Sequence, residues 1–301
     1  MGLKINTNLE SMIAHRNLLR NDRALSRSLE RLATGQKVNR AADDPAALVI
    51  SEHMRAQTKG LEQAIKNNEI GISLVQTAEG SMDEISNLLV SIRQRAIAAA
   101  NVGASDAGMI QANQSEIENA LSSIDRIVSS TQFGQYKLLD GTNAKKELED
   151  GSFQDGLRFH VGPNAGHMSS VSIRDMKTSE LGKVAEEEEP NLSNFASLAD
   201  IDVRSEQGAQ DALTIIDQSI TEVAEVRGEL GAFQRNTLES NLNSLQIAAE
   251  NMISAESTLR DADMAQELAT FTRNQIMTQS ATAQLAQANA LPQNVLRLLN
   301  G

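Results

Sequence analysis

The chain has 301 residues, a formal net charge of −13 and no cysteine, so it contains neither disulfides nor thiolate metal ligands. With six Phe, one Tyr and no Trp, its core must be built from aliphatic side chains, as in long helix–helix seams rather than enzyme pockets. No apolar run reaches the roughly 18 residues needed to cross a bilayer, so we expect no membrane span. The N-terminal segment lacks an apolar stretch and a small-residue cleavage site, and we expect no cleavable secretory signal.

The charge is unevenly distributed along the chain. Residues 1–40 carry eight basic and three acidic side chains, whereas residues 140–211 carry fifteen acidic and seven basic ones. The last 34 residues contain two arginines and no acidic residue. An acidic middle between basic or charge-poor ends predicts a solvated exterior and ends that pack against protein. Nucleic-acid binding is the alternative for the basic start, but glycine-rich or aromatic interleaving is absent, and we expect no nucleic-acid partner.

The first half of the chain predicts three helices. The N-terminal helix has a narrow apolar stripe formed by Leu18, Leu25, Leu29 and Leu32. A very long helix follows, with Asp44 as N-cap and Pro45 as first residue, and it reaches Ala100. Its apolar seam runs from Leu61 to Ala99 in steps of three or four residues, interrupted by the polar residues Asn68 and Glu79. A third helix fits residues 105–130.

Helical periodicity disappears between residues 140 and 205. Leu157, Phe159 and Val161 alternate before a Gly- and Pro-containing loop, and Val171 and Ile173 alternate after it, which predicts a β-hairpin. The acidic run within residues 185–190 predicts an exposed loop.

Helical periodicity returns from Leu213 to the C-terminus. Gly228 and Gly231 coincide with a change in the phase of the apolar stripe, which predicts a bend or tight packing there. Pro292 should kink the last helix or begin a separate short one. The apolar stripe of this C-terminal segment contains Leu268, Phe271, Ile276, Leu285, Leu291, Val295 and Leu298.

Together these elements predict a mainly α-helical fold, a long antiparallel coiled-coil bundle with a small β-hairpin region, whose N- and C-terminal segments pair. A single amphipathic helix with one narrow stripe buries too little surface to be stable in water. Two such helices from opposite chain ends would still expose apolar surface unless neighbouring copies cover it. We therefore interpret the terminal stripes as an assembly interface, because a patch that meets a different patch on the next copy generates an open helical polymer.

Three binding alternatives rest on weaker patterns. His160 and His167 flank the hairpin loop, but no third ligand lies at a suggestive spacing, so no metal site is predicted. Asp261 and Asp263 could bind a cation, and exposed acids beside Arg260 are the simpler interpretation. No nucleotide-binding or hydrolase motif occurs, so we predict neither an enzyme nor a cofactor.

Long segments at both ends resemble the bacterial flagellins. Residues Leu32–Glu52, LATGQKVNRAADDPAALVISE, are similar to the flagellin signature LSSGxRINxAxDDPAGLAISE. Residues Asn68–Gly80, NEIGISLVQTAEG, resemble the family's NAxDGISLxQTAEGAL. The similarity resumes at Ser257–Ala265 and Leu285–Asn289 and extends to Val295–Leu299.

The resemblance implies a terminal helical domain of residues 1–42 with 258–301 that lines a filament core. It implies a second helical domain of residues 43–140 with 205–257 that forms an outer wall. Residues 141–204 would then be a short β-hairpin and loop insert, in place of the large outer domains of many relatives.

The function implied by the resemblance is that of a subunit of the extracellular flagellar filament used for motility, and a hook–filament junction protein is the alternative. The implied partners are other copies of the chain, an export chaperone at the C-terminal helix, and the filament cap and hook-junction proteins. Some flagellins activate an immune receptor through an RVRELA stretch and a glutamate. Here Ser91 and Arg95 replace the arginine and leucine of that stretch, while Glu116 matches the glutamate, so receptor activation is not expected.

Overall fold

Helices account for most of the fold. A computed structural model describes residues 8–101, 106–144, 146–147, 153–154, 156–183, 193 and 195–299. Its helices are α1 (Leu9–Thr34), α2 (Pro45–Ala100), α3 (Ala107–Ser130), α4 (Glu206–Ala232), α5 (Ser240–Arg260) and α6 (Met264–Leu299). The mainly helical fold class is confirmed. None of the described helices contains a stretch long and apolar enough to cross a membrane.

The ends of the longest helix follow local sequence signals. Helix α2 begins at Pro45, and the Asp44 carboxylate accepts a hydrogen bond from the Ala47 N–H at 3.0 Å, as an N-cap does. It continues without interruption to Ala100. Helix α3 begins after Asp106, whose carboxylate accepts from the Met109 N–H at 2.7 Å. Both predicted helices are therefore confirmed.

The β-structure consists, within the described residues, of three two-stranded antiparallel ribbons that involve few residues. The strands are β1 (Gln132–Phe133), β2 (Tyr136–Lys137), β3 (Lys146–Glu147), β4 (Phe153–Gln154), β5 (Leu157–His160) and β6 (Met168–Val171). Strands β5 and β6 pair from Leu157 opposite Val171 to His160 opposite Met168, which confirms the predicted hairpin. The predicted acidic loop at residues 185–190 lies outside the described residues.

The described chain divides into two compact units, residues 1–58 with 250–301 and residues 59–249. The larger unit holds the main core, which combines α2, α3 and α4 with the segment that follows the hairpin. Asn68 is fully buried there, and its Nδ2 donates to the backbone oxygens of Ala64 at 2.7 Å and Val161 at 3.1 Å. Asn241 Nδ2 donates to the same Val161 oxygen at 2.6 Å, so two asparagines hold the hairpin against α2 and α5.

The predicted seam of α2 is wrong by one position at Glu79. Ala78 is fully buried between Val75 and Met82, whereas Glu79 is only half-buried. From Val75, steps of three or four residues lead to Met82 through either Ala78 or Glu79. Ala78 is the buried one because its small apolar side chain lets neighbouring helices pack closely, whereas burial of Glu79 would desolvate a carboxylate.

The phase change near the two glycines has a different cause from the one predicted. Residues Phe233–Glu239 between α4 and α5 form a π-helix, in which Gln234 Nε2 donates to Glu239 Oε1 five residues later at 2.8 Å. A π-helical segment rotates the apolar stripe relative to an α-helix, which keeps Leu238 buried. Tight packing at Gly228 and Gly231 is wrong, because a Cβ atom added at either would meet nothing within 4 Å.

Helix α6 continues through Pro292 to Leu299, so the separate last helix is not formed. A proline in a helix leaves the carbonyl four residues earlier without its N–H donor. That carbonyl belongs to Ala288, and it accepts instead from Asn8 Nδ2 at 2.8 Å. A side chain from the opposite end of the chain thus replaces the missing hydrogen bond.

Candidate assembly surface

Helices α1 and α6 pair in antiparallel orientation, and we call them the terminal helix pair. The side of α1 that faces α6 follows a seven-residue repeat, with Ser11, Leu18, Leu25 and Leu32 at one position and Asn21 and Ser28 at the other. Leu18, Leu25 and Leu32 are half-buried, and Ser28 is buried. This spacing places all of these side chains along one seam of a coiled coil.

Polar contacts connect the two helices along their length. Ser11 Oγ donates to Asn289 Oδ1 at 2.7 Å, Asn21 Nδ2 donates to the Met277 carbonyl at 3.2 Å, and Asn274 Nδ2 donates to Ser28 Oγ at 3.3 Å. At the other end of the pair, Arg31 and Glu267 form an ion pair at 3.7 Å. As position numbers rise along α1 they fall along α6, which defines the antiparallel register.

Backbone contacts close the end of the pair at which α1 stops. Gly35, with φ of 72°, caps α1, and its N–H donates to the Arg31 carbonyl at 2.8 Å. Lys37 N–H donates to the Arg260 carbonyl, and Ala262 N–H donates to the Gly35 carbonyl, each at 2.8 Å. The Arg260 guanidinium reaches Gln36 Oε1 at 3.1 Å and Glu52 Oε1 at 3.0 Å. The loops before α2 and before α6 are therefore joined to each other.

The residues predicted as an assembly interface divide into three groups. The first group is half-buried along or beside the intrachain seam and contains Leu18, Leu25, Leu32, Phe271 and Leu285. The second group is exposed and contains Leu29 at 53%, Leu268 at 56% and Ile276 at 57%. The side chains of the third group, Leu291, Val295 and Leu298, lie outside the described residues. Contact of any of them with a neighbouring subunit stays a prediction.

The structure adds exposed apolar residues that the sequence pattern missed. Leu9, Met12, Ile13, Leu19 and Met277 are each at least 40% exposed on the terminal helix pair. With Leu29, Leu268 and Ile276 they form what we call the exposed apolar set. These residues lie outside the seven-residue stripe, so a sequence analysis that looks for one buried seam does not identify them. The signal that finds them is an apolar residue at a position where a coiled coil normally carries a polar one.

The alternative metal and cation sites have ordinary structural surroundings. His160 and His167 are both exposed, and no group of three or more His, Asp or Glu side chains in the described part of the chain is arranged to hold a metal. Asp263 Oδ1 accepts from the N–H groups of Ala265 at 2.9 Å and Gln266 at 3.2 Å, which caps α6. Asp261 pairs through its backbone with Gln36.

The positions that correspond to the receptor-binding stretch of some flagellins form an ion pair within this chain. Arg95, which stands in place of the leucine, forms an ion pair with Glu116 on α3. Glu116, the residue that matches the glutamate of those flagellins, is therefore paired within the chain with Arg95, the residue that replaces the leucine.

Comparisons with known proteins identify the family to which this architecture belongs. The profile of the bacterial flagellin N-terminal helical region matches residues 5–144, and that of the C-terminal helical region matches residues 213–299. Flagellin of Bacillus subtilis (strain 168) is 40% identical over 307 residues, which cover 99% of this chain and 100% of the relative. The flagellar filament 30.7 kDa core protein of Treponema maltophilum is 39% identical over 296 residues, 98% of this chain and 99% of the relative.

A solved structure shares the fold at lower identity. It is described as that of a flagellar hook-associated protein from Vibrio parahaemolyticus, and it aligns with a TM-score of 0.58 and 16% identity, covering 73% of this chain and 100% of that one. At this identity the likeness concerns the fold alone. Two family profiles that together span most of the chain, and relatives near 40% identity over almost its whole length, show that the chain belongs to the bacterial flagellin family.

Proposed function

We propose that the chain is the structural subunit of a bacterial flagellar filament and that it polymerises through its terminal helix pair. The observation that carries this proposal is the exposed apolar set, in which Leu29, Leu268 and Ile276 are each more than half exposed. Large apolar side chains concentrated on one part of a soluble chain mark a surface that binds other protein.

The composition of the intrachain seam supports the same proposal. Many of the contacts that join α1 to α6 involve Ser, Asn and the Arg31–Glu267 ion pair, and such exposed or polar contacts stabilise a helix pair only weakly. Two long helices held mainly by polar contacts and half-buried leucines need additional burial to be stable. A neighbouring copy that covers the exposed apolar set would supply it.

The remaining assignments follow from membership of the family. Residues 1–42 with 258–301 would line the filament core, and residues 43–140 with 205–257 would form the outer wall, with residues 141–204 as a short insert. The chain would be exported to the extracellular filament with a chaperone at its C-terminal helix, and it would meet the cap and hook-junction proteins there. It would act as a structural protein without catalysis or cofactor.

A hook–filament junction protein is the second candidate, because one solved structure that shares the fold is described as that of a flagellar hook-associated protein. Purified chain mixed with short seeds, prepared from flagellar filaments sheared from the source cell, separates the two. A filament subunit should extend the seeds into long helical polymers that sediment and are visible by negative-stain electron microscopy. A chain that binds filament ends without extending them would refute the filament-subunit proposal.

A further inference from the structure

One contact in the terminal helix pair involves a backbone carbonyl that has no donor within its own helix. Asn8 uses both atoms of its amide, because Oδ1 accepts from the Ser11 N–H at 3.1 Å and so caps α1. Its Nδ2 donates to the Ala288 carbonyl on α6 at 2.8 Å. Ala288 is only 8% exposed, so water has little access to that carbonyl.

The Ala288 carbonyl has no hydrogen-bond donor within α6 because residue 292 is a proline. In a regular helix every interior carbonyl already accepts from the N–H four residues later, so a bond from an outside side chain, such as that of Asn21 to the Met277 carbonyl, is a second bond to an acceptor that is already satisfied. Proline has no N–H, so the carbonyl four residues earlier receives no hydrogen bond from within the helix. Within α6, whose sequence contains a single proline, Ala288 is therefore the interior residue with an acceptor freed in this way.

Other contacts of the pair also oppose an axial shift, and the backbone bonds near Gly35 act at the end of α1 that is far from Asn8. At the Asn8 end, the nearest other hydrogen bond joins Ser11 to Asn289 and is exposed to solvent. Ala281 and Ala288 lie seven residues apart on α6, so small side chains repeat along this part of the seam and do not select one register. A single polar residue in an otherwise repetitive coiled coil can select one register, because every other register leaves its partner without a hydrogen bond.

We propose that Asn8 is a positioning residue which, with the Ala288 carbonyl freed by Pro292, sets the register of α1 against α6. We call this arrangement the register clamp. It acts within one chain and goes beyond the proposed function, but it has a consequence for assembly. A shift of one turn would move Leu268 and Ile276 relative to Leu29 and so break up the exposed apolar set.

The test uses variants that separate capping from clamping. Asn8→Asp keeps an oxygen that can cap α1 but removes the N–H donor to Ala288. Pro292→Ala returns an N–H to α6 that can satisfy Ala288 from within the helix. If the clamp operates, Asn8→Asp should raise the critical concentration for polymerisation about threefold to tenfold, the usual worth of one hydrogen bond. The double variant should return it to within about twofold of the Pro292→Ala value.

Equal critical concentrations for Asn8→Asp and the unaltered chain would show that Asn8 acts only as a cap and would overturn the proposal. If Asn8→Asp raises the critical concentration as much in the Pro292→Ala background as in the unaltered chain, the proposal is overturned as well, because the effect of Asn8 would not depend on the carbonyl that Pro292 frees.

A second measurement reports the register directly. The chain has no cysteine, so Ser28→Cys can be combined with Asn274→Cys to report the observed register and with Thr278→Cys to report a shift of one turn. The ratio of the two disulfide yields should favour residue 274 in the unaltered background and fall at least threefold with either Asn8→Asp or Pro292→Ala. An unchanged ratio, or no preference for residue 274 at the outset, would overturn the proposal. If the unaltered chain fails to polymerise, the proposed function fails, whereas this ratio still decides the register clamp.

Discussion

Replacement of Leu268 by Asp should prevent polymerisation while leaving the single chain folded. Leu268 lies on α6 with 56% of its surface exposed, so the chain loses little packing when this side chain is changed. If a neighbouring subunit covers the residue, burying a leucine from this starting exposure contributes about 1–1.5 kcal/mol. An aspartate in the same place adds a desolvation cost of at least about 2 kcal/mol. Since about 1.4 kcal/mol corresponds to a tenfold change in an equilibrium constant, the critical concentration should rise more than about a hundredfold.

The assay is sedimentation of seeded protein over a range of concentrations, with circular dichroism of the unassembled chain alongside. Leu268→Met, which preserves volume and apolarity, should polymerise almost normally. Gln275→Asp places the same charge on the same helix at an exposed polar position and tests the effect of charge alone. If Leu268→Asp polymerises at the concentration of the unaltered chain with normal helicity, Leu268 lies outside the interface and the proposed surface is wrong there.

Three further results are expected. Amide exchange of residues 9–34 and 264–299 should be fast in the unassembled chain and slow in the filament, because neighbouring copies supply the missing burial; strong protection of both helices before assembly would contradict this. Asn68→Ala should lower the unfolding free energy by about 1–3 kcal/mol and the melting temperature by several degrees, since it removes a buried donor. Asn87→Ala, at an exposed position of the same helix, is the control and should cost less than about 1 kcal/mol, and equal effects would refute the argument from burial. Deletion of residues 185–190 should leave polymerisation unchanged, and loss of filaments would show that this acidic segment makes a required contact.

The sequence predicted those parts of the fold that depend on local signals. The start of α2 follows from Asp44 and Pro45, whose preferences for the N-cap and first helical position are strong and independent of tertiary packing. The hairpin of β5 and β6 follows from alternating apolar residues around a loop that contains glycine and proline. Both signals lie within a few residues of the structure that they specify.

Features that depend on more distant contacts could not be predicted in the same way. The π-helix at Phe233–Glu239 reflects how the backbone resolves a mismatch between two apolar stripes, and the glycines nearby gave a misleading cause. The Ala288 carbonyl, which Pro292 leaves without its helical donor, accepts from Asn8, a residue 280 positions away in the chain. In the candidate surface, Leu25 and Leu29 belong to the same sequence stripe, and only the paired helices show that Leu25 is half-buried while Leu29 is exposed.

The separation of 280 residues between Asn8 and Ala288 has a consequence for the order of folding. Closing so long a loop in an unfolded chain is entropically unfavourable, and each halving of its length lowers the cost by about 0.6 kcal/mol. Packing of Leu61 and Ala64 against Leu245 and Ala249 already brings distant parts of the chain together and reduces the effective loop to about a third of that length. Contacts within residues 59–249 should therefore form first, and the two chain ends should meet last. The two ends of the chain would then remain unpaired until residues 59–249 have folded. A neighbouring copy could at that stage contact the ends and favour their pairing.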